Sequence, residues 1–325
     1  MFFRSLTACL LAVAVPAGAA SITGRIAGPD GGWDYASVDT ATNRLFVARS
    51  DGVMTVNITT GAVTPRLVVV GRTHAVFVIP SAIGVVTSTA IGGVLLFDAK
   101  TGVIAAAIPT GKKPDAAVYD PGTRMVYVMD NDGGGLAIID PRLKTLAGTI
   151  EVGGALEFAV VDGHGHLFVN VEDTGELVMI DLAARKVVRR TKLTGCEEPN
   201  GLALTKAGVL ISACGNNIAK TSDAKSGRLL ADIPIGSHPD AVLYDPKRDR
   251  AYVTAGGDGT LTVIDTAGRS GPHAIATIPT QKSARNGAVD PVTGKIYLPA
   301  AQYAAAVGAD RPKALPGSFE ILVIN

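Results

Sequence analysis

The sequence predicts an all-β fold: a seven-bladed β-propeller of four-stranded antiparallel blades, with the last blade completed by the N-terminal strand. Three observations predict it. One phrase returns about every 40–45 residues. Each copy holds four short β-type runs separated by turn residues. Helical apolar periodicity is absent from residues 21–325.

Residues 1–20 precede the repeats and read as a secretory signal peptide. Arg4 stands before an apolar stretch from Leu6 to Val15, and Ala17-Gly18-Ala19-Ala20 offers small residues for cleavage near Ala20. That stretch is too short to span a bilayer, and no later segment is apolar for long enough. The expectation is a periplasmic or secreted protein without a membrane span. Leu6-Thr7-Ala8-Cys9 also fits a lipoprotein box, but here most of the apolar stretch follows the cysteine, which disfavours lipidation.

Residues 21–28, SITGRIAG, form a strand-like piece before the first copy. Copies then begin near Gly31, Arg72, Lys112, Gly154, Cys196, Ser237 and Lys282. In the copy from Lys112 the four runs are DAAVYD, RMVYVMD, LAIID and LAGTIEV; Asp120-Pro121 breaks the first, because proline fixes φ and removes a donor. The last copy supplies GAVDP, KIYLPAAQY and FEILVIN but no fourth run. Residues 21–28 are therefore expected to pair into that blade, which removes two open edges. Residues 21–325 form a single domain, expected to be monomeric.

The copies resemble the YVTN-repeat, YncE-like propellers. Tyr252-Val253-Thr254, Tyr127-Val128-Met129 and Phe46-Val47-Ala48 carry the resemblance, with the Pro-Asp and Asp-Pro elements around each first strand. It implies the propeller fold and export. It leaves activity open, since some relatives bind nucleic acid, some belong to electron-transfer or quinoprotein systems and several have no known activity.

Charge narrows the partners. The chain carries a net +1, and without Arg4 and the rest of residues 1–20 it is neutral, so nothing draws it globally to nucleic acid or anionic lipid. Cys196 and Cys214 are the cysteines of residues 21–325. They fall at two strand ends that antiparallel pairing brings together, which favours a disulfide over thiolate metal ligation or a redox couple.

In a propeller the first strand of each blade lines the axis, so the residue just before it reaches the channel mouth. Aligning the copies on the Asp-Pro turn brings together Asp34, His74, Asp115, Glu157, Asn200, Asp240 and Asn286, with Arg285 competing for the seventh place. All are polar types able to hold a ligand or a divalent cation. Asp and Asn before a strand also cap their own backbone in Asx turns; His74 and Glu157 do not fit that use. Trp33, Lys113 and His238 fall on the same face. So does the long second-to-third loop of blade seven, about Ala304 to Gly317, carrying Asp310, Arg311 and Lys313.

Three functions follow as expectations. The first is a binding protein holding a small molecule, metal or protein partner at the mouth. The second is a divalent-metal hydrolase or lyase: Glu157, Asn200 and Asp240 are similar to the Glu/Asn/Asp site of the gluconolactonase and regucalcin propellers, and Pro199-Asn200-Gly201-Leu202 echoes their motif. Those propellers are typically six-bladed. In that reading His74 and Glu157 are catalytic, and the ion polarises a lactone carbonyl. The third, single-stranded nucleic-acid binding, has Trp33, Tyr35, Lys112, Lys113 and Arg285 in its favour and the mouth's acidic groups against it. No Gly-x-Ser-x-Gly elbow, phosphate loop, His-Glu-x-x-His or Cys-x-x-Cys-His occurs. His164 and His166 fall on the opposite face as a solvated turn, and Arg185, Lys186, Arg189, Arg190 and Lys192 form a basic outer edge.

Overall fold

The computed structural model describes residues 20–268, 271–305 and 313–325. Residues 1–19 of the 1–20 segment read as a signal peptide, and Asp310 and Arg311 of the long loop, lie outside the described residues. Within them there are seven four-stranded antiparallel sheets and no helix. Six sheets follow simple chain order, and the seventh takes the N-terminal strand as its outermost member.

Blade three illustrates why the runs become strands. Its strands are Pro114–Asp120, Met125–Asp130, Gly135–Asp140 and Thr145–Glu151, within about a residue of the runs expected from β-branched and aromatic content. The second and third strands are almost wholly buried because both faces pack against neighbouring blades. The fourth is mostly exposed, as in blade four, where Lys186–Lys192 alternates strictly between exposed and part-buried.

Closure works through both backbone and side chains. Ile22–Ala27 pairs with Glu320–Ile324, from Ile22 opposite Ile324 to Ala27 opposite Glu320. Ser21 and Asn325 exchange backbone hydrogen bonds of 3.2 Å each, and Arg25 pairs with Glu320. Phe319, 2% exposed, tilts against Trp33 with ring centroids 5.3 Å apart. The Arg49 guanidinium lies 3.6 Å over the Phe319 ring and donates to the Pro29 carbonyl at 2.6 Å. Burial pulls the pKa of Arg49 down to about 10.

The Cys196–Cys214 disulfide is present, with Cα atoms 5.3 Å apart beside the Pro199–Cys214 strand pair. Gly201, two residues past the start of blade five's first strand, is needed for packing: a Cβ there would come within 2.8 Å of the Ala241 backbone in blade six.

Candidate functional site

Strand register sets the channel mouth. In six blades the first strand opens on one pair: Trp33–Arg49, Thr73–Ser88, Pro114–Asp130, Leu156–Val171, Pro199–Cys214 and Pro239–Ala255. A register shift follows each pair, and the residue entering it is Asp34, His74, Asp115, Glu157, Asn200 or Asp240. An irregularity of this kind re-aims a side chain out of the sheet.

Blade seven departs from the pattern, because its first strand shrinks to Ala288–Val289. The Arg285 carbonyl accepts a hydroxyl bond from Thr254, as the Asp115 carbonyl does from Thr87 at 2.6 Å. Arg285 therefore occupies the seventh backbone place. Asn286 still reaches the ring: fully buried, it donates from Nδ2 to Asp34 Oδ1 and to Asp240 Oδ2, both at 3.0 Å. Arg285 Nε stands 3.4 Å from Asp240 Oδ2, and its Nη2 donates to the Trp33 carbonyl at 3.1 Å.

Asx-turn duty falls elsewhere. On the opposite face Asp98, Asp140, Asp245 and Asp290 accept backbone N–H bonds from two or three residues on, at 2.7–3.2 Å. Among the described residues, the carboxylates of Asp34, Asp115 and Asp240 accept no such bond and face one another and their polar neighbours. The turn-forming explanation therefore does not account for the mouth acids.

The charge there is strongly unbalanced. Burial pushes the pKa of Asp115 up to about 6, with Asp34 adding to the effect, and that of Asp240 up to about 7 against the opposing pull of Arg285. Glu157 rises furthest, through burial and then the charges of Asp115, Glu172 and Asp240. Its Oε1 accepts from Asn131 Nδ2 at 2.6 Å, and Asn131 Oδ1 accepts from Lys113 Nζ at 2.7 Å. His74 donates from Nδ1 to Asp34 Oδ2 at 2.8 Å; burial opposes its charge, but the Asp34 bond and nearby Asp115 outweigh that and raise its pKa. The Asn200 side-chain carbonyl is buried without a partner among the described residues.

Below the mouth the channel is apolar. Tyr35 of blade one meets Phe158 of blade four across the axis, centroids 5.3 Å apart, and burial drives the Tyr35 pKa well above its ordinary value. A cavity of about 330 Å³ lies there, lined by residues such as Ala75, Ala117 and Val242. On the mouth face a cavity of about 570 Å³ is lined by Asp34, His74, Thr89, Lys113 and Arg285, and one of about 360 Å³ by Trp33, His238, Ser283, Arg285 and Tyr303.

Over 160 residues the chain is 28% identical to the uncharacterised protein YncE of Salmonella typhi, and equally to YncE of Salmonella typhimurium strain LT2. The chain is a seven-bladed propeller that is similar to YncE over that stretch. The match covers 47% of this chain, which spans 45% of each relative's length. No family model matches the chain. Among solved structures it is similar to a chain of Kuenenia stuttgartiensis hydrazine synthase, at 17% identity and TM-score 0.72 over 85% of this chain and 95% of that one. It is also similar to a chain of the mitotic checkpoint complex, at 12% identity and TM-score 0.78 over 100% of this chain and 98% of that one. Likeness at such identities extends to fold alone.

The remaining residues singled out in the sequence separate cleanly. Tyr303 opens the long blade-seven loop, whose arms pair through Ala304 N to the Lys313 carbonyl at 2.9 Å, so its described part stands over the mouth face. His166 Nδ1 is held by Asp162 at 2.8 Å on the opposite face. The basic strand is largely spent on neighbours. Arg189 donates to the Ala224 and Lys225 carbonyls at 2.6 and 2.8 Å, Arg185 to Ala147 at 3.0 Å, and Arg190 to Glu176 at 2.9 Å and to Val152. Sequence reasoning missed Asn131, Glu172 and Thr89, which follow second strands and touch the ring from behind.

Proposed function

We propose that the protein is an exported binding propeller whose channel mouth holds a positively charged ligand, a metal ion or a small organic cation. The observation that carries this is the convergence of Asp34, Asp115, Glu157, Glu172 and Asp240 on one partly buried site. Their nearby cations are Lys113, engaged with Asn131, Arg285, which neutralises mainly Asp240, and His74 in its protonated form beside Asp34. Crowded, desolvated carboxylates are costly to ionise, and a cationic ligand turns that cost into affinity. The Tyr35–Phe158 contact closes the floor, so the site is a cup at the mouth.

Export is supported by the composition of residues 1–20 and by the disulfide, which persists in oxidising compartments. Calorimetric titration of the purified protein with the dication putrescine, with glutamate and with a thymine oligonucleotide tests the reading. Binding of putrescine alone is the expected result. Binding of the oligonucleotide or glutamate in its place refutes a cation site.

A further inference from the structure

We propose that Asp34, His74 and Asp115 form a site for a divalent transition-metal ion of the zinc or manganese class. The inference deepens the cation-binding reading and rests on it. His74 Nδ1 lies 2.8 Å from Asp34 Oδ2 and 3.8 Å from Asp115 Oδ1. One ligand atom from each residue falls within 4.8 Å of the other two. Two ligands held at about 2.0–2.2 Å on one tetrahedral ion stand roughly 3.3–3.6 Å apart. Side-chain adjustments of about an ångström bring these three atoms onto a common ion.

A second observation points the same way. Asp115 is only 9% exposed, yet its carboxylate accepts no hydrogen bond among the described residues, and its Oδ1 is directed at His74 from beyond bonding distance. A carboxylate buried that far without a donor is costly to keep charged, and a metal ion supplies the missing partner.

The surroundings resemble an outer shell. The second ring nitrogen of His74 stands 3.4 Å from Thr89 Oγ1, which orients the imidazole, and Asn286 holds the far oxygen of Asp34 at 3.0 Å. The open side faces the mouth cavity of about 570 Å³, leaving positions for water or a substrate. Ligand chemistry selects the ion. Calcium and magnesium favour all-oxygen shells, and soft cuprous ion favours sulfur, whereas one imidazole with two carboxylates suits a borderline ion.

The test uses chelator-stripped protein titrated calorimetrically with Zn²⁺, Mn²⁺ and Ca²⁺, with putrescine in parallel. The expected result is one Zn²⁺ or Mn²⁺ per chain bound more tightly than Ca²⁺. His74→Ala and Asp115→Asn each weaken it by about 100-fold or more, because even outer-shell changes cost roughly 10–100-fold. Asp115→Asn keeps the side-chain shape, and matching thermal melts exclude misfolding as the cause. Glu151→Gln, on the exposed fourth strand of blade three, leaves binding intact. Putrescine binding without Zn²⁺ or Mn²⁺ binding overturns the metal site and spares the cation reading; failure of all four ligands overturns both. Metal binding unchanged in both His74→Ala and Asp115→Asn also overturns the assignment.

Discussion

Replacing Glu157 by Gln is expected to stabilise the protein at pH 8 and to do so much less at pH 5. The raised pKa of Glu157, due first to burial and then to Asp115, Glu172 and Asp240, means that the folded state binds a proton the unfolded chain has released. A carboxyl shifted in this direction contributes its full stability below the unfolded value of about 4.3. That contribution is lost as pH climbs through the folded value. Asp115, at about 6, and Asp240, at about 7, behave alike over pH 4 to 7. For Asp240 the shift corresponds to about 4 kcal/mol at the limit. Solvent reaching the 25% of its side chain that is exposed reduces that to on the order of 2 kcal/mol. Gln reproduces the protonated acid: its Oε1 still accepts from Asn131, and its amide can donate to Glu172. Urea denaturation at pH 5, 6, 7 and 8, with chelator present so that no cation neutralises the site, measures the effect. The parent is expected to lose stability steadily with pH. The variant is expected to lose less, and to exceed the parent by on the order of 2 kcal/mol at pH 8. A parent profile flat between pH 5 and 8, or a variant weaker than the parent at pH 8, refutes the reasoning.

Other parts of the ring give sharper structural tests. Changing both Cys196 and Cys214 to Ser releases a loop of 18 residues' separation and is expected to cost about 3 kcal/mol, read as a lower urea midpoint. Denatured, unreduced parent protein is expected to show no free thiol at these positions. Arg49→Met strands the Pro29 and Gly31 carbonyls and removes the cation above Phe319; a loss of about 2–4 kcal/mol is expected from thermal melts. Deleting residues through Ala27 exposes the Glu320–Ile324 edge and is expected to cause self-association, visible by light scattering.

Blade number, strand runs and closure were legible because each blade repeats its own turn chemistry and because an unpaired run before the first blade matches a missing one in the last. The mouth ring was legible for the same reason. Aligning Asp34, His74, Asp115, Glu157, Asn200 and Asp240 required only the turn at the far end of their strands, plainest as Asp120-Pro121 and Asp245-Pro246. Blade seven resisted, since its first strand is cut to two residues and the backbone place passes to Arg285 while the Asn286 amide bridges two acids. Asn131 and Glu172 were hidden for another reason. The residues in their place in other blades are Ser50, Thr89, Gly215 and Gly256, so no shared residue type marks the position. The Tyr35–Phe158 contact depends on the width of the channel, which no local pattern encodes.

The two populations of aspartate decide how far the repeat alone explains the mouth. A repeat that needs turn-formers at both ends of its first strand would place Asp there without any ligand. At the opposite face that account suffices, because Asp39, Asp120, Asp245 and Asp290 each cap their own turn through backbone N–H groups two or three residues on. At the mouth it fails: Asp34, Asp115 and Asp240 cap nothing in their own turns, are partly or largely desolvated and repel one another. Asn in those three places would keep the shape and remove the repulsion. Retaining three charges at that cost, beyond what His74 and Arg285 offset, supports the proposed cationic ligand.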